Sequence, residues 1–234
     1  GQMKFLILDT CGSEGGVAVA ASEKPANLPL VLVGRVLAGQ TYASGLITAV
    51  REVLKECELA LADMDAIVVT RGPGSFTGMR VGLSVAKGLA HASGMPVIAL
   101  SRLAVMAVVV SGEARTGEGP IFVAMDAGRN EFYLGQYRNA GEVCVEETLI
   151  SHDELKVRVQ AAKVFVYEEK AAQILAGLVD VVQIRQPVPV DCIPMAARAF
   201  VAEQFASLAE LDANYLRMTY ADGKKQAPHT GKTQ

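Results

Sequence analysis

Two aspartates close apolar runs: Asp9 ends KFLILD and Asp126 ends IFVAMD, each just ahead of a glycine-bearing turn. Carboxylates paired in this way can hold a metal ion and help orient water against a nucleotide phosphate. Thr10 and Ser13 stand beside the first, and Gly128, Arg129 and Asn130 beside the second. The second turn lacks a doubled glycine and threonine with which to wrap a phosphate, and an aspartate ending a strand is often only a turn-former. A second candidate is Gly72-Pro73-Gly74-Ser75-Phe76-Thr77-Gly78, glycine-rich and placed before a helix, where free backbone N–H groups attract an anion. It is not a P-loop, because no Gly-Lys-Ser/Thr follows at the required spacing. Lys87 lies about three turns into the helix, too far to serve its N-terminus. Asp9, Thr10, Ser13, Gly74 and Asp126 are therefore the candidate nucleotide or phosphate contacts. The histidines, His91, His152 and His229, have no metal-pair spacing, and no Ser-His-Asp or Cys-His arrangement can be argued. The expectation is a chain with no catalytic residue, no metal ligand set and no cofactor of its own.

The glycine-proline turn must be presented by the strand before it, Ala66–Thr70, and the helix after it, about Phe76 to His91. Ser75 or Thr77 can cap that helix by accepting a first-turn N–H. Gly78, Gly82, Ala86 and Ala90 recur every four residues, and Ser84, Gly88 and Ala92 form a second row. Residues so spaced share a face, so two stripes carry almost no side chain. Interior glycines cost about 1 kcal/mol each against alanine, and close approach of another backbone is the usual compensation. One explanation is a core helix under its own sheet. The other, adopted as the expectation, adds a partner's helix on the opposite face.

Hydrophobic residues make up 51% of the 234-residue chain and charged residues 20%, with a positive mean hydropathy. Such a composition describes a well-buried globular protein and excludes disorder. A net charge of −3, with basic residues adjacent only at Lys224-Lys225, argues against direct nucleic-acid binding, which needs a basic stripe. Cys11, Cys57, Cys144 and Cys192 are far apart, as expected of reduced thiols in the cytoplasm. No run approaches the roughly 18 apolar residues of a membrane span. Gly1-Gln2 ahead of Met3 reads as an expression remnant, and the start carries no secretory pattern.

Strands are expected at Lys4–Asp9, Val17–Ala21 and Leu30–Leu37, followed by a helix from Ser44 to Cys57, with Pro25 and Pro29 between the second and third strands. After the glycine-proline helix come a strand at Pro96–Leu100 and a short helix at Leu103–Val110. The polar, glycine-rich stretch Ser111–Pro120 marks a boundary, after which the opening pattern returns as Ile121–Asp126, Glu131–Tyr137 and Val143–Glu147. Later strands are expected at Val164–Tyr167 and Val181–Ile184, and an amphipathic helix at Pro194–Ala206. An Asp-tipped strand begun twice predicts an α/β fold of two related lobes of the actin-like, sugar-kinase and Hsp70 (ASKHA) type, with mixed sheets flanked by helices. The expected division is residues 1–111 for the N-terminal lobe, 112–220 for a smaller C-terminal lobe and 221–234 for a flexible tail. On fold analogy alone the alternatives are a small-molecule kinase or ATPase using Asp9 and Asp126, or a peptidase, which the missing metal ligands disfavour.

Arg71-Gly72-Pro73-Gly74-Ser75-Phe76-Thr77-Gly78-Met79-Arg80-Val81-Gly82 closely resembles the signature of the TsaB (YeaZ) family of bacterial tRNA threonylcarbamoyladenosine biosynthesis proteins. Asp9-Thr10, Asp65-Ala66-Ile67, Gly88-Leu89-Ala90 and Pro96-Val97-Ile98 also match, as do Asp126-Ala127, Glu131, Tyr133 and Tyr215-Leu216-Arg217. The likeness is strong from about Met3 to Ser111 and weaker to about Met218. Two departures stand out: Thr41-Tyr42-Ala43 where the family commonly has a His-Ser pair, and Gly128 before Arg129 where arginine commonly follows Asp-Ala directly.

The resemblance implies a non-catalytic homologue of the transferase TsaD. In TsaD two histidines hold a metal after the strand that follows the signature helix; the matching positions here are Arg102 and Met106, neither of which replaces imidazole. It further implies docking on a TsaD-like partner through the first lobe, by the helices Gly78–Ala90 and Ser44–Cys57. Leu46, Val50, Val53, Thr77, Gly78, Val81, Gly82, Val85, Ala86 and Leu89 would form the interface. A homodimer when alone, a TsaE-like ATPase as a third component, tRNA contact only through the complex, and ATP or ADP only together with partners complete what the resemblance implies.

Overall fold

A computed structural model describes residues 2–23, 30–113, 119–138, 143–214 and 216. Pro25 and Pro29, His229, Tyr215, Arg217, Lys224-Lys225 and the expected tail 221–234 lie outside the described residues.

The first sheet contains β1 (Gln2–Asp9), β2 (Glu14–Glu23), β3 (Leu30–Ala38), β4 (Ala66–Thr70) and β5 (Val97–Leu100), with helices α1 (Tyr42–Glu56) and α2 (Phe76–Ser93) between its strands. Its order is β3-β2-β1-β4-β5, antiparallel through β1, β2 and β3 and parallel through β1, β4 and β5. α3 (Arg102–Gly112) then leads to a second sheet. Its elements are β6 (Ile121–Gly128), β7 (Glu131–Tyr137), β8 (Val143–Ser151), α4 (His152–Val159), β9 (Lys163–Val166), α5 (Glu169–Leu175) and β10 (Asp180–Gln183), before the final α6 (Ile193–Val201). The order β10-β9-β6-β7-β8 repeats the first sheet's connectivity strand for strand, with the same parallel and antiparallel pairings. The fold is α/β, two mixed five-stranded sheets flanked by helices in the actin-like arrangement. Helices α4 and α5 stand where the sequence reading had no helix. Both are short, and the capping box of Ser151 with Glu154 is the local signal for the first. Helix α6 stops at Val201, short of the expected Ala206, and Glu203 follows at a positive φ of 52°.

Alternation along the strands explains why KFLILD is apolar throughout: successive side chains face opposite sides of the sheet, and both sides are covered. Leu6, Leu8, Ile67 and Val69 pack under α1 and α2, while Phe5, Ile7, Ala66 and Val68 face the other way. What covers that second side is α6, through Ile193, Ala196, Ala197 and Ala199. Conversely α3 buries Leu103, Met106 and Val110 against Ile121, Val123 and Met125 of the second sheet, while Val105 turns to the first. Each half thus lends its closing helix to the other half's sheet, and α3, apolar all round, lies between the two. The sequence reading assigns residues 193–201 to the second lobe, but their side chains complete the core of the first.

Candidate functional site

A cleft of about 660 Å³ opens between the two sheets. Cys11, Gly12 and Ser13 from the β1–β2 turn, with Gly74 and Ser75, line one wall; Asp126, Tyr133, Tyr167 and Glu168 line the other. Tight backbone packing joins β1 to the signature turn. The Ser75 N–H donates to the Cys11 carbonyl at 2.7 Å, and the Ser75 hydroxyl caps α2 by accepting from Gly78 N–H at 3.2 Å. Thr10 donates its hydroxyl to the Gly78 carbonyl at 2.7 Å. A Cβ on Gly74 would lie 2.2 Å from the Cys11 carbonyl oxygen, and one on Gly78 2.0 Å from the Thr10 carbonyl oxygen. The signature glycines therefore let this turn lie directly on the end of β1.

Of the five candidate phosphate contacts, Ser13, Gly74 and Asp126 reach the cleft. Asp9 and Thr10 are buried behind its wall. Both Asp9 carboxylate oxygens are engaged: Oδ1 accepts from the Thr70 hydroxyl at 2.7 Å and the Cys11 N–H at 3.2 Å, while Oδ2 accepts from Arg102 Nη1 at 2.5 Å. Arg102 is itself fully buried, with the Tyr167 ring centroid 5.3 Å from its guanidinium carbon. Burial works to lower the Arg102 pKa, but the Asp9 charge, ahead of Tyr167 and Cys11, more than offsets this and holds it above the usual value. The same burial, with Asp9 adding to it, pushes the Cys11 thiol up to about 12, which leaves it an inert neutral group. Asp126 is half-buried and accepts from Lys170 Nζ at 2.6 Å and from Gly128 N–H at 2.8 Å. Burial raises its pKa, but Lys170 and the Gly128 N–H prevail and bring it below the ordinary value. Glu168 accepts from the Asp126 N–H at 2.9 Å and is raised by burial. The sequence reading passed over Arg102, Glu168, Tyr167 and Lys170 as site residues. The lone charge heading the apolar run Leu103–Val110 was the available signal for Arg102, since a buried charge needs a partner.

Among the described residues no three of His, Cys, Asp and Glu converge on one point. His152 stacks on Phe132 with ring centroids 5.1 Å apart. Cys11, Cys57 and Cys192 are free thiols. No helix among them is long and apolar enough to cross a membrane.

The expected partner surface needs correction. Leu46, Val50 and Val53 of α1, and Gly78, Gly82 and Ala86 of α2, are buried in this chain's own core. A Cβ on Gly82 would lie 2.3 Å from Thr10 Oγ1, so the first bare stripe serves β1, not another molecule. The second stripe faces outward: Ser84, Gly88 and Ala92 are exposed, and nothing lies within 4 Å of a Cβ built on Gly88. Thr77 is exposed, and Val81, Val85 and Leu89 are half-buried on the flanks of that face.

With this geometry the chain can be set beside known proteins. The family described as TsaD, tRNA N6-adenosine threonylcarbamoyltransferase, matches residues 36–219, most of the length. The tRNA threonylcarbamoyladenosine biosynthesis protein TsaB of Haemophilus influenzae is 40% identical over 100 residues, covering 43% of this chain and 42% of that protein. The Bacillus subtilis TsaB is 40% identical over 93 residues, covering 39% of each. The matched segments thus span about two fifths of the length of these curated relatives. A crystal structure from Pseudomonas aeruginosa, of a protein with similarity to peptidase YeaZ, superposes with a TM-score of 0.75 at 26% identity, over 92% of this chain and 100% of that one. The chain belongs to the family of TsaD, tRNA N6-adenosine threonylcarbamoyltransferase, and within it to the TsaB/YeaZ group.

Proposed function

We propose that this chain is a non-catalytic subunit in the biosynthesis of tRNA threonylcarbamoyladenosine, and that it docks on a TsaD-type transferase through the outer face of α2. The observation that carries the reading is the open stripe on that helix. Val81, Val85, Gly88 and Ala92 recur at spacings of four, three and four residues, the pattern of a helix–helix seam. Gly88 and Ala92 are exposed there with no more than a methyl group to hold a partner away. Ile47 of α1, 49% exposed, is a further large apolar side chain open to solvent. A partner helix laid along this stripe could approach to near the lower end of the roughly 8–10 Å range of packed helices. A TsaD-type chain fits as occupant because this group's named pathway requires a transferase and the buried Asp9 here is already committed to Arg102. In the assembly, tRNA and any nucleotide would be handled with the partners, including an ATPase of the TsaE type, and this face would pair two copies when the transferase is absent. Co-purification of this chain with the transferase from the same organism, with and without Gly88→Arg, tests the reading. Retention of the complex by a folded Gly88→Arg protein would refute the assigned face.

A further inference from the structure

A carboxylate at a strand tip beside a glycine-bearing turn is chemically suited to hold a metal ion against nucleotide phosphates. Here the corresponding group, Asp9, is 1% exposed and has both oxygens taken by the protein. Its counter-charge is a guanidinium supplied by the first residue of α3. We propose that Arg102 is a built-in substitute for a bound cation, so that the floor of the inter-lobe cleft is charge-compensated by the chain itself and takes no magnesium nucleotide.

Three observations converge on this. First, Nη1 of Arg102 meets Asp9 Oδ2 at 2.5 Å with both side chains sealed from solvent. A buried carboxylate needs a counter-charge, and this guanidinium supplies it. Second, space is kept for it: a Cβ on Gly12 would lie 2.8 Å from Nη2, so the β1–β2 turn closes directly over the arginine. Third, Arg102 is anchored from both directions. Its backbone N–H donates to the Gly72 carbonyl at 2.8 Å, and Tyr167 of the second lobe lies beside its guanidinium carbon. The cation thus ties β1, the signature turn and the second lobe together without an exchangeable ion.

The inference deepens the non-catalytic reading and is tested by the isolated chain's response to cations. The wild-type protein should give no binding heat with magnesium-ATP and a melting temperature indifferent to magnesium, manganese or a chelator. Arg102→Ala should melt lower and recover part of the loss with millimolar manganese or methylguanidinium. That recovery should vanish in Asp9→Asn/Arg102→Ala. If Arg102→Ala does not fold in plain buffer, refolding in the presence of either cation makes the same measurement, and failure with both overturns the inference. A folded Arg102→Ala protein that responds to neither cation also overturns it, while leaving the docking role standing. Micromolar magnesium-ATP binding with turnover by the wild type would overturn both.

Discussion

At the scale of single residues, the chemistry turns on which carboxylates are free. Asp9 and Asp126 look alike in sequence, each ending an apolar strand. The fold separates them: Asp9 is sealed behind Cys11 and Arg102, and Asp126 faces the cleft with Lys170. Nothing in the local sequence announces that difference, because Arg102 lies 93 residues from Asp9 and only the closing of the sheet brings them together. Removing one member of a buried pair costs about 3–5 kcal/mol, so Asp9→Asn and Arg102→Ala should each lower stability by that order, measured by urea denaturation. Glu168 offers a pH test. Its folded pKa is raised above the ordinary 4.5 by burial. The native state therefore holds that proton more tightly than the unfolded chain, and stability falls as pH rises from about 4.5 through the folded value. Glu168→Gln keeps an acceptor for the Asp126 N–H and carries no charge. It should raise the melting temperature at neutral pH and leave it unchanged below about pH 4; a lower melting temperature at neutral pH would contradict the assignment.

At the scale of the element, α2 carries most of the argument. Its start and its two bare stripes were legible from spacing alone, and its cap down to Ser75 or Thr77, of which the fold uses Ser75. Which stripe faces inward was not, because both are equally small and the choice is made by Thr10, just past the end of β1 and far away in sequence. Gly82→Ala and Gly88→Ala separate the faces. At Gly82 the new methyl would meet a hydroxyl already committed to Gly78, so the usual cost of overpacking, about 1–3 kcal/mol, should outweigh the helix-propensity gain. At Gly88 there is open space, and replacing glycine within a helix should add about 0.5–1 kcal/mol of stability. Chemical denaturation of the two variants should show shifts of opposite sign.

At the scale of the molecule, the duplication was readable from the return of an Asp-tipped strand, and both sheets share one connectivity. The exchange of closing helices was not, since amphipathic or apolar faces on α3 and α6 do not say which sheet they will cover. A chain ending at Gly112 would expose Phe5, Ile7, Val68 and Ile98, which α6 otherwise helps to cover, together with the second-sheet face of α3. Such a truncated chain should show no cooperative thermal transition by circular dichroism; a sharp one would mean that the first sheet closes its core unaided. The proposed role of the whole rests on α2's outer stripe being the place where a transferase helix would sit. The most direct measurement is light scattering on size-exclusion fractions of this chain mixed with a TsaD-type transferase from the same organism. Wild type should elute as the complex. Gly88→Arg, with wild-type circular dichroism and melting temperature, should elute apart from the partner; its elution as an unchanged complex would contradict the account.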